Sequence, residues 1–316
     1  MPAPTKPQQT RRPRFRRAAD APAFRLTDGD LEIVSLLARH RFLRSTHIAA
    51  LVGRSIDRVN DRLLRLFHAG YVDRPRAQLD YYPTSGSAPF IYALADQGTH
   101  LLAEHDCANL CDAEWSRKNR TAGRPFIEHQ IEIMDFYVSL QLAVRSQPDI
   151  SFIHADELAA QCPAETRDGK NPFALRVQLS QNGVVHDIGV VPDLVFGVRF
   201  SDGSRRCFLV EIDRGTMPIS RSDIRQTSFE RKMRAYLAAH AAGLHEQYFG
   251  WKTFRVLTVT TDDVRLRAVQ EALSLLRSAD GLGARLFMFA SRERLSGADP
   301  LGPIWRDGLR QMVALI

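Results

Sequence analysis

Between Ser55 and Ala69 the chain places apolar and basic residues on opposite faces of one helix, an arrangement few folds accommodate. Ile56, Val59, Leu63, Leu66 and Phe67 recur at helical spacing, while Arg54, Arg58, Arg62 and Arg65 follow at intervals of four, four and three. The apolar side predicts burial in a small core, and the other side a basic stripe directed away from it. Upstream, Thr27 and Asp28 supply capping residues for a helix over 28–40, with Leu31, Val34, Leu37 and Ala38 on one face. Ser45 heads a short second helix ending at Gly53, and the turn Gly53-Arg54-Ser55 leads into the third. A short helix, a glycine turn and a basic amphipathic helix form the arrangement that carries side chains into a major groove.

After Gly70, residues 71–75 read as extended, residues 83–89 (PTSGSAP) as a turn tip, and residues 90–96 (FIYALAD) as a second strand leading into a helix. That is a β-hairpin wing, with Arg74 and Arg76 available for backbone contact. The predicted domain, residues 25–106, is a winged helix-turn-helix with double-stranded DNA as its partner. Arg54, Arg58, Arg62, Arg65, Arg74 and Arg76 are its candidate DNA-binding residues. The same pattern also accommodates a three-helix core whose arginines are merely solvated and paired with Asp57 and Asp61.

Charge adds little to that reading. Of the net +7, residues 1–20 alone carry +5, through Lys6, Arg11, Arg12, Arg14, Arg16 and Arg17 against Asp20. A Pro- and Arg-rich stretch of this kind has nothing to bury, so residues 1–24 are expected to be a disordered basic tail suited to phosphate contact or simply to solubility. No window approaches the ~20 apolar residues of a membrane span, and no secretory signal is evident. Cys107, Cys111, Cys162 and Cys207 are too few for a disulfide framework, so a cytoplasmic location with reduced thiols is expected. His100, His105, Cys107 and Cys111 do not follow the usual paired zinc spacing and fit one helical face equally well.

Residues 107–125 read as a linker ending at Pro125, and residues 126–316 as a second domain. It opens with a helix apolar almost all round (FIEHQIEIMDFYVSLQLAV), with Glu128, His129 and Glu132 near its start. Strands are predicted at 151–158, 173–180, 184–200, 205–216, 254–261 and 285–291, and helices over 222–240 and 264–278. The order implies an α/β (α+β) fold with a mixed central sheet. In the segment beginning Asp299-Pro300, Trp305 reads as a packing residue. Two strands carry acids that an apolar environment penalises unless they are paired, hydrogen-bonded or metal-bound: Asp193 after Pro192, and Glu211 with Asp213, which strand alternation would put on one face. Convergence of the three would be relieved by a divalent cation. In the following helix Arg225, Phe229, Lys232 and Tyr236 form a stripe, placing Lys232 among aromatic residues.

Pro192-Asp193, then Glu211-Ile212-Asp213-Arg214-Gly215-Thr216, then a helix bearing Lys232 and Tyr236, resembles the replication-relaxation family of plasmid and mobile-element proteins. The resemblance covers roughly residues 25–260 and implies a winged helix joined to a restriction-endonuclease-like PD-(D/E)xK core. Carried onto this chain, it implies Asp193 and Glu211 as ligands of Mg2+ or Mn2+, with the Ile212 carbonyl and Glu128 or Glu132 as further ligands, and no nucleotide cofactor. Asp193, Glu211, Asp213 and Lys232 become the candidate catalytic set. Asp213 stands where such cores carry lysine; Lys232 is then either its relocated replacement or part of a structural network with Asp213 and Arg214. A DNA-binding accessory protein of a plasmid or mobile element, a metal-dependent DNA endonuclease or nickase, and a transcription regulator are the functions this leaves. A homodimer and contact with other mobile-element proteins stay open as partners; a membrane does not.

Overall fold

In a computed structural model, which describes residues 14–19, 23, 25–78, 88–105, 115–276 and 285–316, Thr27 caps helix α1 (Asp28–His40). Its N–H and hydroxyl both donate to the Asp30 carboxylate, each at 2.8 Å, which ties the free end of the first turn to its third residue. Strand β1 (Phe42–Arg44) and helix α2 (Ser45–Val52) follow. Gly53 ends α2 at φ 65°, a left-handed conformation that glycine adopts without steric cost. Helix α3 (Ile56–His68) buries Val59, Leu63, Leu66 and Phe67 and leaves Ile56 exposed. Strands β2 (Val72–Asp73) and β3 (Ile91–Leu94) complete an antiparallel sheet of order β1-β3-β2, and β3 leads into α4 (Asp96–Glu104). Of the expected hairpin tip, residues 83–89, residues 83–87 lie outside the described residues.

Two expectations change here. Residues 1–13 lie outside the described residues, but Arg14–Ala19 are docked rather than disordered. Arg17 donates to the Phe67 and Val72 carbonyls at 2.8 and 3.2 Å, and Ala18 N–H donates to His68 Nδ1 at 3.1 Å. Arg17 thereby ties the last turn of α3 to strand β2. The segment read as a linker also contributes packed structure: α5 (Trp115–Arg120) carries Asn119, buried and accepting from Arg41 Nε at 2.8 Å.

The chain divides into two compact units, Met1–Val138 and Ser139–Ile316. The division falls inside the long helix α6 (Arg124–Arg145), not at Pro125, because Ile127 and Ile131 pack with Phe42 and Ala93 of the first unit. A helix apolar on several sides offers a core-forming face along its whole length, so the proline in its first turn does not mark where packing changes.

The second unit is built on a seven-stranded sheet. In chain order come β4 (Ile150–Ile153), α7 (Ala155–Ala160), α8 (Ala164–Arg167), the hairpin β5 (Leu175–Gln181) and β6 (Val184–Val190), β7 (Leu194–Phe200) and β8 (Arg205–Ile212). Then follow α9 (Phe229–Ala241), α10 (Leu244–Phe249), β9 (Arg255–Thr260), α11 (Asp263–Ser274), β10 (Phe287–Ser291), β11 (Trp305–Asp307) and β12 (Met312–Val313). The sheet order is β12-β11-β10-β9-β8-β7-β4; β8, β9 and β10 run parallel and the other pairings are antiparallel. The fold is thus mixed α and β with a mixed central sheet. Among the described residues, the hairpin β5–β6 forms a two-stranded sheet of its own, and Pro192, which has no N–H to give a ladder, separates it from β7. The single strand expected over 184–200 is therefore two. Helix α9 starts at Phe229 rather than Ser222, where Ser228 caps it by accepting from Arg231 N–H at 3.2 Å. Trp305 is fully buried and sits in a strand that sequence patterning did not predict.

Candidate functional site

Glu211 occupies the next-to-last position of β8, between β7 and β9, and is 2 % exposed. Asp193 N–H donates to the Val210 carbonyl at 2.9 Å and its carboxylate accepts from Ile212 N–H at 2.8 Å. Asp193 thereby grips the backbone on both sides of Glu211. From α9, Lys232 Nζ donates to Glu211 Oε2 at 2.5 Å, and one turn later Tyr236 OH donates to Oε1 at 2.6 Å. The spacing of four between Lys232 and Tyr236 places both on the same side of the helix, so one carboxylate receives one donor on each oxygen.

Burial pushes Glu211 up to about 7; Lys232 lowers it, and Asp193 adds to the rise. Burial also works against the Lys232 ammonium, but Glu211, Asp193 and Asp213 outweigh it and its pKa is raised. The two shifts describe one coupled pair: the carboxyl proton leaves only near neutrality, and the ammonium proton is then held by the charge left behind. Tyr236 is raised by burial and by Glu211.

Asp213 does not join this cluster through its carboxylate. Strand β8 ends at Ile212, so the alternation that would align Asp213 with Glu211 stops first. Arg265 of α11 donates to Asp213 Oδ2 at 2.6 Å, and Gly215 N–H donates to Oδ1 at 2.8 Å. The Asp213-Arg214-Gly215 string is a turn closed on its own aspartate, with Gly215 at φ 72°. Arg265 is a partner that sequence reading missed; its only signal was a cation in the first turn of a predicted helix. Arg225 also leaves the expected stripe, lying before α9 and paired with Asp223 at 3.0 Å. Glu128 is on α6 in the first unit, paired with Arg124 at 2.7 Å, an i,i+4 surface contact.

Both Glu211 oxygens are committed to donors, one Asp193 oxygen to a backbone N–H, and Asp213 to Arg265. Among the described residues no three His, Cys, Asp or Glu side chains converge as a metal-holding group. Cys107 and Cys111 lie outside the described residues, so no zinc arrangement with His100 and His105 can be described. Cys162 and Cys207 are buried free thiols.

The six arginines of the N-terminal unit separate into two sets. Arg62 closes on the fully buried Asp30 through two nitrogens and on the Arg25 carbonyl at 3.1 Å. Arg74 is buried, with its guanidinium 4.4 Å from the Phe67 ring centroid and donating to Tyr92 OH at 2.9 Å. Both engage partners within the unit: Arg74 is buried, while Arg62, whose side chain is about a quarter exposed, reaches Asp30 in the first turn of α1. Arg54 and Arg65 are exposed and paired, with Glu32 and Asp61 respectively, each at 3.1 Å. Arg58 and Arg76 are exposed, with no acidic partner among the described residues.

The family model for replication-relaxation matches residues 34–253, a span that includes α3, Asp193, Glu211 and Lys232. No curated protein and no solved structure matches the chain. Among the described residues, no helix is long and apolar enough to cross a membrane.

Proposed function

The chain belongs to the replication-relaxation family, and from that premise we propose that it is a double-stranded-DNA-binding protein serving the replication or mobilisation of a plasmid or mobile element. In this reading the N-terminal unit is a winged helix whose α3 enters the major groove. Arg58 and Arg76 make phosphate contacts, and Arg54 and Arg65 exchange their weak surface pairs for DNA. The second unit is a restriction-endonuclease-like core that holds its acids for structure and assembly rather than for cleavage. The observation that carries this last point is the closure of Lys232 and Tyr236 on the two oxygens of Glu211.

Incubation of the full chain with supercoiled plasmid and Mg2+ or Mn2+ tests it. Retarded but intact plasmid is expected. Nicked or linear product that disappears in Asp193→Ala and Glu211→Ala would replace this reading with that of a metal-dependent endonuclease. One observation favours that competitor: Lys232 stands against Glu211, as a relocated catalytic lysine would.

A further inference from the structure

At the end of β8 remote from Glu211, the second unit has a cavity of about 520 Å3. Its walls come from the ends of β7 and β8, the last residue of the α7 turn and the loop entering β9. Arg199, Arg205 and Lys252 line it, with Gln161, Cys207 and Trp251, and no Asp or Glu does. Arg199 and Arg205 are direct cross-strand partners, so their side chains emerge on one face of the sheet. Like charges directly opposite are unfavourable unless an anion lies between them. The described residues supply none: Arg205 donates to the neutral Gln161, and neither Arg199 nor Lys252 has a carboxylate partner. Trp251, 1 % exposed and packed against Phe173 and Phe249, forms an apolar wall beside these cations.

We propose that this cavity is a binding site for a phosphate ester of mononucleotide size. Two guanidiniums and an ammonium would hold the phosphate oxygens. A cavity of ~300–1,000 Å3 suits a small organic ligand. The phosphate ester has two sources, a free nucleotide or a nucleotide within a DNA strand. The site is independent of the DNA-binding reading given for the N-terminal unit.

The full-length protein, in phosphate-free buffer, is titrated with thymidine 5′-monophosphate, thymidine and a twelve-nucleotide single strand, following tryptophan fluorescence and thermal unfolding. The monophosphate is expected to change the fluorescence and raise the unfolding temperature, whereas thymidine leaves both unchanged. Arg199→Gln with Arg205→Gln should weaken the response at least ~10-fold. In the absence of ligand the same variant should unfold no earlier than the native chain, because it relieves the repulsion. A response to the single strand at lower concentration than to the monophosphate assigns the DNA source; the reverse assigns the free nucleotide. No response to either phosphate probe, a response shared by thymidine, or one unchanged in the double variant overturns the proposal.

Discussion

In each unit of this protein a buried carboxylate meets a cation, and two of these pairs, Asp30 with Arg62 and Glu211 with Lys232, behave in opposite ways. In the N-terminal unit, Asp30 is fully buried, yet its pKa is lowered. Burial alone would raise it, but Arg62 and the hydroxyl and N–H of Thr27 more than offset that. In the second unit, Glu211 is likewise hidden from solvent but lies deeper within the fold, and is pushed up to about 7. The difference lies in what surrounds the charge. Asp30 stands in the first turn of a helix, where unpaired N–H groups favour an anion, and meets a two-pronged guanidinium. Glu211 stands inside a sheet, with a single ammonium, a phenol and a second carboxylate nearby. One pair is a clamp; the other is a carboxylate whose charge is barely maintained. A cation aligned with DNA in the sequence and a carboxylate aligned with metal are thus both engaged internally, with different strength.

The comparison would break first at Arg62. Arg62→Ala leaves a buried carboxylate without its main partner, and should cost the N-terminal unit about 3 kcal/mol or more. Lys232→Met should cost the second unit less, about 1 kcal/mol, because Glu211 takes up a proton with little penalty and Tyr236 still donates to it. Hydrogen exchange of α1 and β8 amides in the two variants measures each effect in its own unit. Equal losses would show that the pairs are not different in kind.

Acidity sharpens the same contrast. Asp30 is depressed, so its contribution is complete above the ordinary aspartate pKa of about 3.9 and is lost as pH falls below it. Glu211 is raised, so its contribution is complete below the ordinary glutamate pKa of about 4.3 and is lost as pH rises through about 7. Protection of β8 should therefore decline between those values while protection of α1 holds steady. Glu211→Gln should remove the decline in β8. A native β8 profile flat over that interval would contradict the shift assigned to Glu211.

What was legible in the sequence follows the range of the interactions concerned. The helices over 28–40 and 56–68 and the strand bearing Glu211 were readable because each rests on a local period, a cap or a turn. Arg62 with Asp30 and Asp213 with Arg265 are separated by 32 and 52 residues, and no local pattern encodes them. Their consequence was to mislead: a stripe on a helical wheel does not say which of its members another element will claim. The pairing of Lys232 and Tyr236 with Glu211 was partly readable from their spacing on one helix. Strands β11 and β12 were not, being too short to show alternation.

The smallest expected effect on stability tests the surviving part of the stripe. Arg58 is exposed and has no acidic partner among the described residues, so Arg58→Ala should change stability by less than about 0.5 kcal/mol. If it contacts a phosphate, the same variant should weaken DNA binding across sequences and reduce the salt dependence of log K by about one unit of slope. Arg62→Ala, measured where the protein remains folded, should change affinity without that change in slope, since its charge is spent on Asp30. Fluorescence anisotropy of a labelled duplex over a salt series separates the two. A lower slope for Arg62→Ala and none for Arg58→Ala would invert the division drawn here, returning the clamp to the DNA-facing surface and removing Arg58 from it.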